Sequence, residues 1–167
     1  MSEQNHISTR IFRPSDLAAL KSLVQTTIDA CYPKVYPKEA VQFFKDWHSD
    51  EKMLKDAKEG YIILLLKDTR IVGTGTIVGE DVKRVFVDPI FQRCGFGRLI
   101  MRKLEERAVS TGIDVVRLDA SLPSKTFYDV LGYVTLERAF REVENNKRLD
   151  FYKMEKALGV RVRNGDQ

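Results

Sequence analysis

The sequence has few of the residues that build disulfide frameworks or zinc sites. Among its 167 residues there are two cysteines, Cys31 and Cys94, and two histidines, His6 and His48. Two cysteines cannot form a disulfide framework or a four-ligand zinc site alone, and two histidines add little to such a site. We therefore expect a protein that requires no metal.

Long apolar runs are also missing. No uninterrupted apolar segment reaches the length of about 18 residues that a membrane-spanning helix needs. Residues 1–6 are polar and lack the apolar core of a signal peptide. These two absences predict a protein of the reducing cytoplasm with no membrane partner.

A strong excess of one charge is absent as well. The 28 Lys and Arg residues exceed the 24 Asp and Glu residues by only four, and the basic residues are scattered along the chain. A mild positive charge suits an anionic ligand or a nucleic acid. Because the sequence contains no nucleic-acid recognition motif and no basic stripe, a small nucleic-acid-binding protein with a pI near 9.0 is the less favoured alternative.

The first half of the chain predicts helices followed by strands. A short strand is expected over residues 7–13, and Ser15 is a candidate N-cap for a helix over residues 16–30. Two further helices are expected before Gly60. The apolar run over residues 61–66 indicates a buried strand, and two more strands over 71–78 and 82–87 complete an antiparallel meander.

The second half alternates strands and helices. An amphipathic helix is predicted over residues 95–110, a strand over 115–118, a short helix over 124–131 and a strand over 133–136. Residues 138–147 are interpreted as a mobile charged connection before a last strand over 148–154. The strand–helix–strand unit makes the strands over 82–87 and 115–118 parallel. The fold class is α/β (α+β), with one domain over residues 1–157 and a flexible tail over 158–167.

A glycine-spaced turn precedes the amphipathic helix. The first turn of a helix presents unpaired N–H groups and a partial positive charge, and the glycines at 95 and 97 let an anion approach the backbone. Arg93 and Arg98 add full charges, which suits a pyrophosphate. The pattern is not a P-loop, and the third glycine of a dinucleotide fingerprint is replaced by Ile100.

Two ordered motifs resemble one known family. Val87-Asp88-Pro89, followed by Gln92-Arg93-Cys94-Gly95-Phe96-Gly97-Arg98, resembles the acetyl-coenzyme A signature of the GNAT superfamily of N-acetyltransferases. Downstream, Phe127-Tyr128-Asp129-Val130-Leu131-Gly132-Tyr133 is similar to the Phe-Tyr-x-x-x-Gly-Phe element of that superfamily. The resemblance extends over nearly the whole chain and implies a GNAT-like mixed sheet with helices on both faces.

The resemblance also implies where acetyl-coenzyme A binds. The backbone N–H groups of residues 93–98 would hold the pyrophosphate, and the strand carrying Val85 and Val87 would splay from its neighbour and bind the pantetheine arm as an added strand does. The Val87 N–H would be the oxyanion donor. Ser121 stands where many relatives have an asparagine. The implied cofactor-binding residues are Val85, Phe86, Val87, Gln92, Arg93, Cys94, Gly95, Phe96, Gly97, Arg98, Ser121 and Tyr128.

Two residues are candidates for proton transfer. Tyr128 matches the tyrosine that protonates the leaving thiolate in many relatives, although it could also be a packing tyrosine beside Phe127. Asp81 is a candidate general base, because strand alternation would place it on the side of Val85. A solvated hairpin turn and a water chain are the alternatives for Asp81, and His48 is interpreted as a surface residue.

Together these features predict transfer of an acetyl group from acetyl-coenzyme A to a primary amine, by direct attack in a ternary complex. The N-terminal helices and the connection before the last strand are expected to form the acceptor pocket, and the tyrosine- and proline-rich loop over residues 30–37 is a candidate for its lining. A non-catalytic acyl-coenzyme A-binding module on the same fold is the first alternative. A homodimer is common in the superfamily and remains open.

Overall fold

Seven strands form one mixed sheet in the computed structural model, which describes residues 6–159. Its order is β1-β2-β3-β4-β5-β7-β6, and every neighbouring pair is antiparallel except β4 and β5. The strands are β1 (Ile7–Ile11), β2 (Tyr61–Lys67), β3 (Arg70–Val78), β4 (Asp81–Val87), β5 (Val115–Ser121), β6 (Val134–Val143) and β7 (Lys147–Ala157). The helices are α1 (Leu17–Cys31), α2 (Lys38–Trp47), α3 (Asp50–Glu59), α4 (Phe96–Ser110) and α5 (Lys125–Val130).

Each face of the sheet carries its own hydrophobic core. In β2, Ile62 and Leu64 pack with residues of α1, α2 and α3, whereas Ile63 and Leu65 pack with residues of α4 and α5. Both faces of this strand are buried, which explains its continuous apolar sequence. The predicted α/β mixed sheet, its meander and its helices on both faces are therefore confirmed.

The parallel pair at the centre of the sheet separates soon after it begins. Residue pairing between β4 and β5 is limited to Asp81 opposite Arg117 and Val82 opposite Leu118. Beyond that point β4 continues to Val87 and β5 to Ser121 without pairing to each other. The sheet therefore splits between these strands and leaves part of the β4 edge unpaired.

A β-bulge changes the direction of side chains along β4. Thr76 pairs with Lys83 and Thr74 with Phe86, so two residues of β4, Arg84 and Val85, lie opposite one residue of β3. Arg84 has a φ of +51° at this point. The bulge interrupts the alternation on which the prediction for Asp81 was based, since Val85 packs toward the same core as Val82, three residues earlier. The inference that Asp81 and Val85 share a side is wrong.

The start of α1 also differs from the prediction. Ser15 makes no capping hydrogen bond; instead the Asp16 carboxylate accepts one from the Arg13 N–H at 2.8 Å. The Arg10 guanidinium binds both oxygens of the same carboxylate, at 2.7 and 2.8 Å. These bonds hold the pKa of Asp16 below its usual value.

Residues 138–147 do not form a mobile connection. The strand β6 extends to Val143 and pairs along its length with β7, and the two join at a tight turn in which Asn145 and Asn146 have positive φ. Arg138 contacts Asp150 at 3.3 Å across the pair. The charges that suggested a loop belong to an exposed edge strand, where charged side chains are tolerated.

The ordered structure reaches slightly beyond the predicted domain boundary. Leu158, assigned to the tail from the sequence, is buried in the core beside α4, and its N–H donates to the Asp114 carbonyl at 2.7 Å. Residues 160–167 of the predicted tail lie outside the described residues. No helix within residues 6–159 is both long and apolar enough to cross a membrane.

Candidate active site

A cleft of about 500 Å³ opens where β4 and β5 separate. Five of the residues singled out from the sequence line it: Asp81, Val85, Phe86, Ser121 and Tyr128. Aromatic side chains of α2 and of the loop after α1 line one side of the cleft. They are Phe43, Phe44 and Trp47 of α2 and Tyr32 of the loop.

The end of β4 turns its peptide groups alternately toward β3 and toward the split. The Asp88 N–H donates to the Val72 carbonyl of β3 at 2.8 Å. Successive peptide groups of a strand point in opposite directions, so the N–H of Val87 points away from β3 and toward the split. Phe86 pairs with Thr74 of β3, which leaves its ring rather than its main chain exposed to the cleft.

The glycine-spaced turn lies between β4 and α4. Arg93 and Gly95 have φ values of +62° and +82°, which fold the chain into a tight turn before the helix. Within the described part of the chain, no backbone hydrogen bond is donated by the N–H groups of residues 93–98; the first in α4 runs from the Leu99 N–H to the Gly95 carbonyl at 3.1 Å. These free amides, beside the exposed Arg93 and Arg98, form a cradle for an anion.

Gln92 connects this turn to the strand. Its Nε2 donates to the Val87 carbonyl at 3.1 Å and lies 3.5 Å from the Cys31 Sγ of α1. Cys94 is exposed, and its Sγ lies 3.6 Å from the Gln92 carbonyl. Gln92 therefore fixes the position of the turn relative to the end of β4.

Tyr128 lies on the opposite wall of the cleft, in α5. Its ring is buried and contacts the rings of Phe127 and Tyr133 at centroid distances of 5.0 and 5.6 Å. Burial raises the pKa of Tyr128, so the phenol is protonated at neutral pH. None of the hydrogen bonds found within residues 6–159 involves its hydroxyl, which leaves that group free for a ligand. Nearby, the Ser121 hydroxyl contacts that of Ser124 at 2.7 Å.

Two carboxylates line the cleft near the point where the strands part. Asp81 lies at the start of β4, and Asp119 lies two residues after Arg117, its pairing partner on β5. Desolvation raises the pKa of Asp119, opposed by the charges of Lys153 and Arg141 and assisted by that of Asp81. Asp119 was not among the predicted site residues because the predicted strand ended at Leu118. The alternation of apolar Val116, Leu118 and Ala120 with charged Arg117 and Asp119 would have extended that strand.

His48 and Arg84 are two buried residues that line the same cleft. His48 is buried, with its ring edge-on to Phe86 at 5.5 Å, so its assignment to the surface is wrong. Burial and the nearby charge of Arg84 lower the pKa of His48 to about 3. The Arg84 guanidinium makes an ion pair with the buried Asp56 of α3. The adjacent charges Lys83 and Arg84, followed by three consecutive apolar residues over 85–87, interrupt the alternation of this strand and were the sequence signal for the bulge.

Solved structures with the same fold are numerous. A GCN5-related N-acetyltransferase from Rhodopseudomonas palustris superposes with a TM-score of 0.83 at 20% identity, covering 90% of this chain and 95% of that one. The PaiA N-acetyltransferase of Thermoplasma acidophilum in complex with coenzyme A gives 0.73 at 17%, covering 92% and 99%. The ribosomal-protein-S18-alanine N-acetyltransferase of Escherichia coli gives 0.70 at 15%, covering 97% and 100%.

Sequence comparison gives a consistent result. A search of curated protein sequences produced no significant match. The family profile described as the Acetyltransferase (GNAT) domain matches residues 32–158, which include the glycine-spaced turn, the split strands and Tyr128. The match spans most of the chain and agrees with the two motifs and the sheet order. The chain therefore belongs to the GNAT family of acetyltransferases.

Proposed function

We propose that the protein is an N-acetyltransferase that moves an acetyl group from acetyl-coenzyme A to a primary amine by direct attack in a ternary complex. One observation carries the proposal: the unpaired edge of β4 leads directly into the turn whose amides are free. A strand edge that ends at an anion cradle matches a ligand with an amide-bearing arm and a pyrophosphate.

Acetyl-coenzyme A would bind along this edge. The N–H groups of residues 93–98 would hold the pyrophosphate, with Arg93 and Arg98 adding charge. The peptide groups of Val85 and Val87 that face the split would pair with the pantetheine amides. Ser121, on the facing strand, would supply a hydroxyl to the same arm. Gly97 would allow the close packing that keeps the turn against α5.

The reaction would then proceed at the inner end of the arm. The amine nitrogen forms a bond to the thioester carbonyl carbon, and the carbon–sulfur bond breaks. The Val87 N–H points into the split and would stabilise the oxyanion, a contribution typically worth a factor of about 100 to 1,000 in rate. Tyr128 would protonate the departing thiolate, and its raised pKa keeps the required proton available.

The attacking amine must first lose a proton. Asp81 is our proposed base, directly or through water, since it lines the cleft at the base of the split. Asp119 is a second carboxylate on the facing strand and would help to attract the ammonium group. This arrangement requires the acceptor to enter from the side of α2, where Phe43, Phe44 and Trp47 line the cleft.

The test is a turnover assay with acetyl-coenzyme A and a panel of primary amines, following release of the coenzyme A thiol and the mass of the product. Tyr128→Phe should lower kcat by about tenfold or more, with KM for acetyl-coenzyme A unchanged. Tyr133→Phe is the matched control, because the Tyr133 hydroxyl is bonded to Glu105 at 2.9 Å. Tight binding of acetyl-coenzyme A without turnover of any amine would instead favour the non-catalytic acyl-coenzyme A-binding module.

A further inference from the structure

Arg84 carries a hydrogen-bond donor that the protein leaves unused. Its side chain is only 3% exposed and lines the cleft. Nη2 faces Asp56 in the ion pair, but Nε has no hydrogen-bond partner among the described residues. A buried donor without a partner costs stability, so such groups are rare unless they serve a ligand.

His48 presents a second unpartnered nitrogen to the same cleft. Its Nδ1 is buried and lacks a hydrogen-bond partner within residues 6–159. The ring is held in place by its edge-on contact with Phe86, which follows Arg84 by two residues on β4. A neutral imidazole can donate a hydrogen bond as readily as it can accept one. His48 Nδ1 and Arg84 Nε are thus two buried nitrogens with unused hydrogen-bonding capacity, on two residues that line the same cleft.

The charges around this end of the cleft are mostly positive. Lys52 lies 3.3 Å from the centre of the Trp47 ring, and Arg141 lies 4.9 Å from the same centre. Lys83 contacts Asp56 at 3.4 Å, so this carboxylate is shared between Lys83 and Arg84. The charge of Arg141 also interacts with Asp119, where it opposes the rise in the pKa of that carboxylate. The four positive charges Lys52, Lys83, Arg84 and Arg141 therefore outnumber the three carboxylates Asp56, Asp81 and Asp119 by one.

We propose that the acceptor amine also carries an anionic group, a carboxylate or a phosphate, which binds to Arg84 Nε and His48 at this end of the cleft. The inference rests on the proposed amine acceptor. The anion would face Arg84 and His48, and the ammonium would face Asp81 and Asp119 near the split. A zwitterionic substrate matches both charged regions of the cleft.

The sequence distance between the two ends limits the size of this acceptor. Arg84 precedes Val87 by three residues, a span of about 10 Å along an extended strand and less across a bulge. The amine and the anion should therefore be separated by no more than about 10 Å. A small amino acid or amino phosphate lies within this limit.

Matched pairs of amines test the proposal. Propylamine is compared with β-alanine, and ethanolamine with phosphoethanolamine, by measuring kcat/KM for acetylation. The anionic member of at least one pair should be preferred by about tenfold or more, the effect expected of one charge-assisted hydrogen bond. The pair with the larger preference identifies the anion as a carboxylate or a phosphate.

Variants locate the effect. Arg84→Lys keeps a positive charge for Asp56 but removes Nε, so it should lower kcat/KM for the anionic amine of each pair by more than it lowers kcat/KM for the neutral amine. Arg141→Gln, at an exposed position, should weaken the preference and avoids any question of folding. Arg102→Lys is the control, since Arg102 is exposed on α4 and near only Glu106.

Direct binding gives a readout independent of turnover. With coenzyme A saturating the turn, calorimetric titration with inorganic phosphate and with succinate should show binding to the wild type and at least tenfold weaker binding to Arg84→Lys. Equal acetylation within both pairs, or identical titrations for wild type and Arg84→Lys, would overturn the anion site while acetyl transfer stands. Anion binding that depends on Arg84, with no amine acetylated, would retain the site and refute the amine acceptor.

Discussion

The ring of Phe127 lies directly over Gly97, so a Cβ added at position 97 would be only 3.0 Å from the Phe127 Cζ. One glycine of the glycine-spaced turn is thus favoured by packing between α4 and α5, independently of any ligand. A Cβ added at Gly95 would meet no atom within 4 Å, so glycine is favoured there by its φ of +82° instead. The two glycines of the motif therefore have different physical reasons.

Gly97→Ala should destabilise the protein by about 1–3 kcal/mol, because the ring must move to accept the methyl group. Phe127→Leu should recover much of this loss in the double variant, giving a coupling energy in a double-mutant cycle followed by urea unfolding. Additive effects of the two substitutions would show that the contact does not limit the packing of the turn.

Arg98→Ala should weaken coenzyme A binding by about tenfold, because a charged contact to phosphate is lost. The same variant should bind pantetheine as the wild type does, since pantetheine has no pyrophosphate. Calorimetric titration at two salt concentrations measures both, and Arg102→Ala, one turn further along the exposed face of α4, is the control. An equal loss for pantetheine would place Arg98 on the arm rather than on the pyrophosphate.

Asp81→Asn should lower kcat/KM for the amine by about a hundredfold, the lower range for loss of a general base. Asp119→Asn should act less strongly, through substrate attraction, and should mainly raise KM. The pH–rate profiles of both variants separate the roles. The reverse order of effects would assign the base to Asp119, whose pKa is already raised by desolvation.

His48 should make stability sensitive to mild acid. The folded protein excludes a proton from His48 until the pH falls to about 3, whereas the unfolded imidazole is protonated below about pH 6.5. The contribution of neutral His48 to the free energy of unfolding is fully present above pH 6.5. This free energy falls with decreasing pH, by about 2 kcal/mol between pH 7 and pH 5. His48→Phe, which keeps an aromatic ring against Phe86, should remove this dependence.

Urea unfolding at pH 8, 7, 6 and 5 measures the effect. The difference in unfolding free energy between wild type and His48→Phe should change steadily in favour of the variant below pH 6.5. A constant difference across this range would mean that His48 becomes protonated in the folded protein without penalty.

Periodicity predicted most of the elements, because each buries a clear apolar face. The run over residues 61–66 and the helix ending at Ser110 were placed almost to the residue, and the parallel pairing followed from chain connectivity. The β6–β7 hairpin was missed because its charged side chains pair across an exposed edge. No apolar pattern reports such pairing.

The site was predictable where a motif fixes the backbone and not where tertiary contacts decide. The turn over residues 92–98 was found from its glycines. Arg84 and His48 became visible only when the bulge and the packing of α2 and α3 brought them together. The bulge also invalidated the alternation argument for Asp81, since one extra residue reverses every side chain beyond it.

The brief pairing of β4 with β5 gives the sheet a mechanical weak point. Four strands lie on one side and three on the other, and strand pairing along that seam is limited to Asp81 with Arg117 and Val82 with Leu118, next to a hydrogen bond from the Arg117 N–H to the Glu80 carbonyl at 2.9 Å. A ligand whose amide groups bind to both β4 and β5 would supply the missing hydrogen bonds and join the two halves into one continuous sheet. Ligand binding in the cleft should therefore make the sheet more rigid far from the reacting atoms. Amide hydrogen exchange should become slower in β5 and β7 as well as in β4.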